Sequence, residues 1–251
     1  MPPADPAPPW CALCAPKRGN SEDEYEDAWA VDPAAGRFAV GDGASESSFA
    51  GRWAQLLTEA FLAAPRPEDM PGWLAEPRRR WSAEVMGLEL PWFAEMKREQ
   101  GAFATLLGLG VLRPTADRPG KWRAVAVGDS CLIRVRQGRQ VNSFPIRKAA
   151  DFGNQPRLLG SRGGPLPPPE HATGSFLGGD RLFLMTDALA QWFLDAHERG
   201  GRPWEAVASV LSAEQPDEAF AGWIEELRDR DGMRNDDVTL LSIEAGLAPE
   251  E

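Results

Sequence analysis

Apolar and polar positions divide the chain into alternating blocks of strands and helices. Residues 10–15 form a short apolar run, a first strand. The runs AWAVD (28–32) and GRFAVGDG (36–43) flank the turn PAAG, a hairpin pattern. Phe49, Trp53, Leu56, Leu57, Ala60 and Phe61 then recur at the i, i+4, i+7, i+8 spacing of an amphipathic helix, with serines just ahead as candidate caps. Helical spacing continues through about 71–99, interrupted at Pro77 and Pro91.

The period changes at Gly101. Residues 102–113, 121–137 and, after the turn QGR, 140–146 are strand-like. Residues 149–179 carry Gly and Pro without periodicity and predict one long loop, a length often tied to function. DRLFLMTDA (180–188) is a further strand. Helices follow over 189–201, 203–213 and 217–232, the first and third closed by glycine, and DVTLLSIEA (237–245) is a last strand. Strands, helices, strands, helices, strand is the order of an α+β domain with antiparallel sheets covered by helices. The proline-rich residues 1–9 read as a disordered tail, and 10–251 as one domain.

Composition narrows the function. A net charge of −11 disfavours a nucleic-acid partner, whose phosphates want basic surface. No apolar run approaches the ~20 residues that span a membrane. Cys11, Cys14 and Cys131 are an odd number without a signal peptide ahead of them, which predicts a reducing, cytoplasmic setting. Cys11 and Cys14 have zinc spacing, but no second pair follows and His171 and His197 are distant, so strand packing is the better account. The ten tryptophans, Trp53 and Trp122 among them, read as core rather than as a stacking platform.

The chemistry lies where strands end. Asp27 enters one strand, Asp42 and Asp187 leave others, Asp236 and Asp237 enter the last, and Asp129 follows RAVAVG. One strand-end aspartate is an ordinary turn residue. Four or five gathered in one cleft repel one another unless cations neutralise them, and oxygen-only donors suit Mg²⁺ or Mn²⁺. Two such ions ~3.5–4 Å apart can activate a water against a phosphoryl group.

The sequence resembles the metal-dependent protein phosphatases, the type 2C serine/threonine family. Six short motifs stand in family order: Glu26-Asp27-Ala28, Phe38-Ala39-Val40-Gly41-Asp42-Gly43, Gly101-Ala102-Phe103-Ala104, Val127-Gly128-Asp129-Ser130, Gly179-Asp180 through Thr186-Asp187-Ala188, and Asp236-Asp237-Val238-Thr239. Together they cover about residues 10–245. The resemblance implies a four-layer α-β-β-α sandwich with two divalent cations, Mn²⁺ or Mg²⁺, at one end. It implies that Asp42 bridges both ions, that the Gly43 carbonyl binds one, and that Asp27, Asp187 and Asp236 complete the site. Glu26 would hold a water on the metal, and Asp129 a third, weaker ion. The implied substrate is a phosphoserine or phosphothreonine protein, attacked directly by the activated water, and a cognate kinase is an implied partner. The alternative is a catalytically weak phosphatase-like module that binds a phosphoprotein or kinase. Departures are specific: Ala44 stands where some relatives have a histidine, Ala188 replaces Gly, and Asp237 replaces Asn. The family's phosphate-binding arginine has no counterpart at its usual spacing, where Glu22 stands, so Arg18 is the nearest candidate. Arg147, Lys148, Arg157 and Arg162 make the segment after the central hairpin basic, suited to an acidic phosphopeptide.

Overall fold

A computed structural model of the protein describes residues 9–44, 47, 49–88, 95, 98–112, 119–153, 155–230 and 232–244. Two five-stranded antiparallel sheets pack face to face between two layers of helices. The first sheet has the order β1-β12-β11-β7-β8, from Trp10–Ala15, Val238–Glu244, Arg181–Met185, Cys131–Arg136 and Arg139–Phe144. The second has the order β10-β6-β5-β3-β2, from Glu170–Phe176, Gly120–Val127, Leu106–Leu112, Arg37–Gly41 and Ala28–Asp32. A two-stranded pair, β4 (Phe103–Ala104) with β9 (Leu159–Gly160), stands beside them.

Strand alternation sorts the side chains into three cores. Phe38, Val40, Leu107, Leu109, Leu184 and Leu241 point between the sheets. Their odd-even neighbours Ala39, Leu106, Val125 and Val127 meet α1 (Ala50–Ala63), α2 (Met70–Trp73) and α3 (Ala75–Met86). On the far side Ile133, Phe183, Met185 and Leu240 meet α4 (Asp187–Glu198), α5 (Pro203–Leu211) and α6 (Pro216–Arg230). Sheets buried on both faces explain why these strands read as near-continuous apolar runs. This is the expected α-β-β-α sandwich.

Several local expectations change. The run 121–137 is two strands in different sheets, because Gly128-Asp129-Ser130 carries the chain from β6 to β7 across the sandwich. Gly128 adopts φ +110° there, and a Cβ on it would come within 2.5 Å of Thr105. The run 102–113 also divides, at Thr105, whose N–H donates to the Asp42 carbonyl (2.8 Å). The long loop predicted over 149–179 contains β9 and β10. The latter is an edge strand of mostly exposed polar residues, so it gave no apolar signal.

The break between α2 and α3 falls at Leu74. Pro77 sits in the first turn of α3, where its missing N–H costs little. Among the described residues no side chain caps α1; Phe49 precedes it in a left-handed conformation (φ 63°), and Ser47 instead donates to the Ala44 carbonyl and accepts from the Phe103 N–H. Residues 1–8, Ser45, Ser48 and the Pro91 break lie outside the described residues. No helix among the described residues is long and apolar enough to cross a membrane.

Candidate metal centre

The carboxylates converge where the strands of both sheets begin or end. Asp42 leaves β3, and its N–H is held by the Thr105 hydroxyl (3.1 Å). Thr105 lies 3.0 Å from the Ser130 hydroxyl, beside Asp129 in the inter-sheet crossing. Asp187 opens α4 at the end of β11, where the helix dipole favours a negative charge. Carboxylate oxygens of Asp42, Asp129 and Asp187 all lie within 4.8 Å of one another. Asp27 and Asp236 are close enough for their charges to act on Asp42.

Gly43 has a structural reason to be glycine. A Cβ there would come within 2.6 Å of the Glu26 carbonyl and 2.8 Å of the Ala50 carbonyl carbon. Its N–H donates to the Glu26 carbonyl (3.2 Å), which ties the β2 entrance to the β3 exit. Asp237 makes the matching tie from the other sheet. One of its oxygens accepts the Lys17 N–H at 2.7 Å and the other the Glu26 N–H at 2.8 Å. Asp237 is therefore a buried clamp on the loop that carries Glu26 and Asp27.

Asp27 is buried against Tyr25 and Thr239. Its Oδ2 accepts from the Thr239 hydroxyl (2.8 Å), and Tyr25 Oη lies 2.5 Å from that hydroxyl. Its Oδ1 and the Oδ1 of Asp129 are buried with no hydrogen-bond partner among the described residues. Such orphaned oxygens are costly unless a cation takes them. Burial, then the nearby Asp237 and Asp236 charges, pushes Asp27 up to about 7 despite the Thr239 bond. Asp42 is also raised well above the usual carboxylate range, by burial first and then by Asp27, Asp236 and Asp129. Burial raises Asp129 as well. Oxygen-only donors, self-repulsion and two orphaned buried oxygens fit hard divalent cations.

Arg18, the expected phosphate ligand, turns to α6 and pairs with Glu225 (2.6 Å) and Asp229 (2.8 Å). A different cation, Arg234, reaches the cluster. Its Nη2 donates to Asp187 Oδ2, and its Nε lies 3.5 Å from Asp236 Oδ2. Sequence reasoning missed Arg234, Tyr25, Thr239 and the clamp role of Asp237. The only available sign of Arg234 was its place two residues before Asp236 in RNDD. A cleft of about 1000 Å³, lined by Cys14, Lys17, Tyr25, Glu26, Asp27 and Trp29 among others, opens beside Asp27.

No protein-family model matches the sequence, and no curated protein matches it. Solved structures do match. The serine/threonine phosphatase PstP/Ppp of Mycobacterium tuberculosis is 18% identical, with a TM-score of 0.60 over 96% of this chain and 100% of that one. The catalytic domain of PstP in complex with two manganese ions is 18% identical, with a TM-score of 0.56 over 94% of this chain and 98% of that one. PppA, described as a key regulatory component of T6SS in Pseudomonas aeruginosa, is 19% identical, with a TM-score of 0.59 over 96% and 98%.

The chain has the fold of the PPM serine/threonine phosphatases. Within that PPM fold, both ends of the chain build the carboxylate cluster. β12 supplies Thr239 to Asp27 on β2's approach, and its β11 neighbour delivers Asp187.

Proposed function

We propose that the chain is a divergent PPM family member that hydrolyses phosphoserine or phosphothreonine in proteins with the help of divalent cations, Mn²⁺ or Mg²⁺. The observation that carries this reading is the convergence of Asp42, Asp129 and Asp187 within 4.8 Å, with Asp27 and Asp236 adjoining. Asp27, Asp42, the Gly43 carbonyl, Asp187 and Asp236 would hold two ions, and Asp129 a third, weaker one. Bound there, the ions supply water activation and neutralise charge on the phosphoryl group.

The protein's own residues hold that arrangement rigid. Thr105 and Gly43 fix the Asp42 turn, Thr239 fixes Asp27, and Asp237 holds the Glu26 main chain at the rim, where the Glu26 carboxylate would orient a water. No side-chain nucleophile is needed, in keeping with an absence of any motif that activates a serine or cysteine. The phosphoprotein and its cognate kinase are the proposed partners.

The test is Mn²⁺-dependent hydrolysis of p-nitrophenyl phosphate and a phosphothreonine peptide, with Asp42→Asn as control. Activity that disappears in the control supports the reading, and activity equal in both refutes it. The engagement of Arg18 by α6 favours a second reading, a regulatory module that binds a phosphoprotein or kinase without turnover. That reading predicts phosphopeptide binding with no hydrolysis.

A further inference from the structure

The carboxylate pocket poses a problem for its proposed substrate. A phosphomonoester is a dianion at neutral pH, and five aspartates repel it. Divalent ions remove the repulsion but do not by themselves fix the orientation of three equivalent phosphoryl oxygens. A planar donor with parallel N–H groups does so, which is why a guanidinium suits the task better than an ammonium.

Arg18 is drawn away. Its Nε and Nη2 are bound to Glu225 and Asp229 on α6. Arg234 is on the loop between α6 and β12, with its guanidinium among the carboxylates and its side chain 38% exposed. Among the described residues its ion pairs engage Nη2 and Nε, out of five N–H donors on the group. Asp187 and Asp236 each meet it through Oδ2; Asp236 Oδ1 also accepts the Asp237 N–H (3.1 Å), and a carboxylate oxygen that accepts one such bond keeps a lone pair for a cation.

The loop itself is pinned. The Met233 N–H donates to the Leu227 carbonyl, and Arg228, buried beneath, donates to the Asp236 carbonyl at 2.6 Å. Asn235 exchanges hydrogen bonds with the Arg18 main chain: its Oδ1 accepts the Arg18 N–H (2.8 Å) and its Nδ2 donates to the Arg18 carbonyl (3.3 Å). Arg18 thus contributes through its backbone, by holding the loop from which Arg234 projects.

We infer that Arg234 is the phosphate-binding residue of this site, with its orientation set by Asp187 and Asp236 and its free N–H donors directed at the phosphoryl oxygens of a phosphomonoester. The inference rests on the proposed dimetal phosphatase site. It also assigns Arg18 a structural part only.

The test uses the full chain loaded with Mn²⁺. Calorimetry measures Mn²⁺ affinity and inorganic phosphate affinity separately, and p-nitrophenyl phosphate kinetics gives KM and kcat. Arg234→Ala and Arg234→Gln are expected to weaken phosphate binding and raise KM by about tenfold or more, the loss of a charge-assisted bidentate contact. Arg234→Lys recovers part of both, while Mn²⁺ affinity stays at or above that of the wild type. Arg18→Ala changes phosphate affinity less than about twofold. Phosphate affinity unchanged in Arg234→Gln, or lost in Arg18→Ala instead, overturns the inference. So does loss of Mn²⁺ binding in every Arg234 variant, which makes the residue a positioner of metal ligands. Phosphate binding that depends on Arg234 in a protein without hydrolysis supports the inference while refuting the catalytic reading. Absence of phosphate binding to the Mn²⁺-loaded wild type overturns both.

Discussion

Replacing Asp237 by alanine tests whether the two sheets are locked together at the site by this one buried carboxylate. Asp237 is 6% exposed and accepts two main-chain N–H bonds, from Lys17 at 2.7 Å and Glu26 at 2.8 Å. Alanine leaves both donors without an acceptor, at a cost of roughly 1–3 kcal/mol each. Lys17 and Glu26 are themselves only half-buried, so water reaches part of the gap and the lower half of that range applies. Against this, the variant removes a charge that presses on Asp27, although burial outranks that repulsion at Asp27. The two effects leave a net loss of about 2 kcal/mol. For a chain of this size each kcal/mol moves Tm by roughly 2–4 °C, so calorimetry of the metal-free protein should show a fall of about 4–8 °C. Asp237→Asn keeps one acceptor oxygen and should lose about half as much. A Tm unchanged within 1 °C, or raised, in Asp237→Ala would show that charge relief dominates and that the clamp is not what holds β2 to β12.

Metal-free protein should lose stability as pH rises from 5 to 7. The Asp27 carboxyl sits at about 7 in the fold and near 3.9 unfolded, so the folded state binds the extra proton and the resulting stability is lost as pH climbs through the folded value. The slope from this group is at most about 1.4 kcal/mol per pH unit, and saturating Mn²⁺ should flatten it. A metal-free Tm that rises between pH 5 and 7 contradicts the burial of Asp27. Asp180 does not confuse this window: its burial is outweighed by the Arg136 ion pair, which lowers its pKa and confines its titration to acid. Gly128→Ala should cost more than about 2 kcal/mol, because the position needs φ +110° and its Cβ would meet Thr105 at 2.5 Å. It should also weaken Mn²⁺ binding by moving Asp129, and urea unfolding with calorimetry checks both.

The layers were legible because apolar periodicity survives in any strand or helix buried on a broad face. The stripe from Phe49 to Phe61 became α1, and the runs around Val40, Leu184 and Leu241 became inter-sheet strands. β10 was illegible because an edge strand of the sequence EHATGSF presents polar side chains to water and takes its order from β6. The candidate site divided in the same way. Asp27, Asp42, Asp129, Asp187 and Asp236 were visible as strand-end acids, since a carboxylate at a strand end is a local feature.

Local sequence thus determined which residues carry charge to the strand ends and which faces bury. Proximity across more than 200 residues was decided by tertiary structure alone. The bond from Thr239 to Asp27, the clamp of Asp237 on Lys17 and Glu26, and the exchange of Arg18 for Arg234 beside the acids depend on β12 pairing with β1 in one sheet and facing the entrance of β2 in the other. No periodicity encodes a contact between the two ends of a chain; it exists only once the sheets have closed on each other.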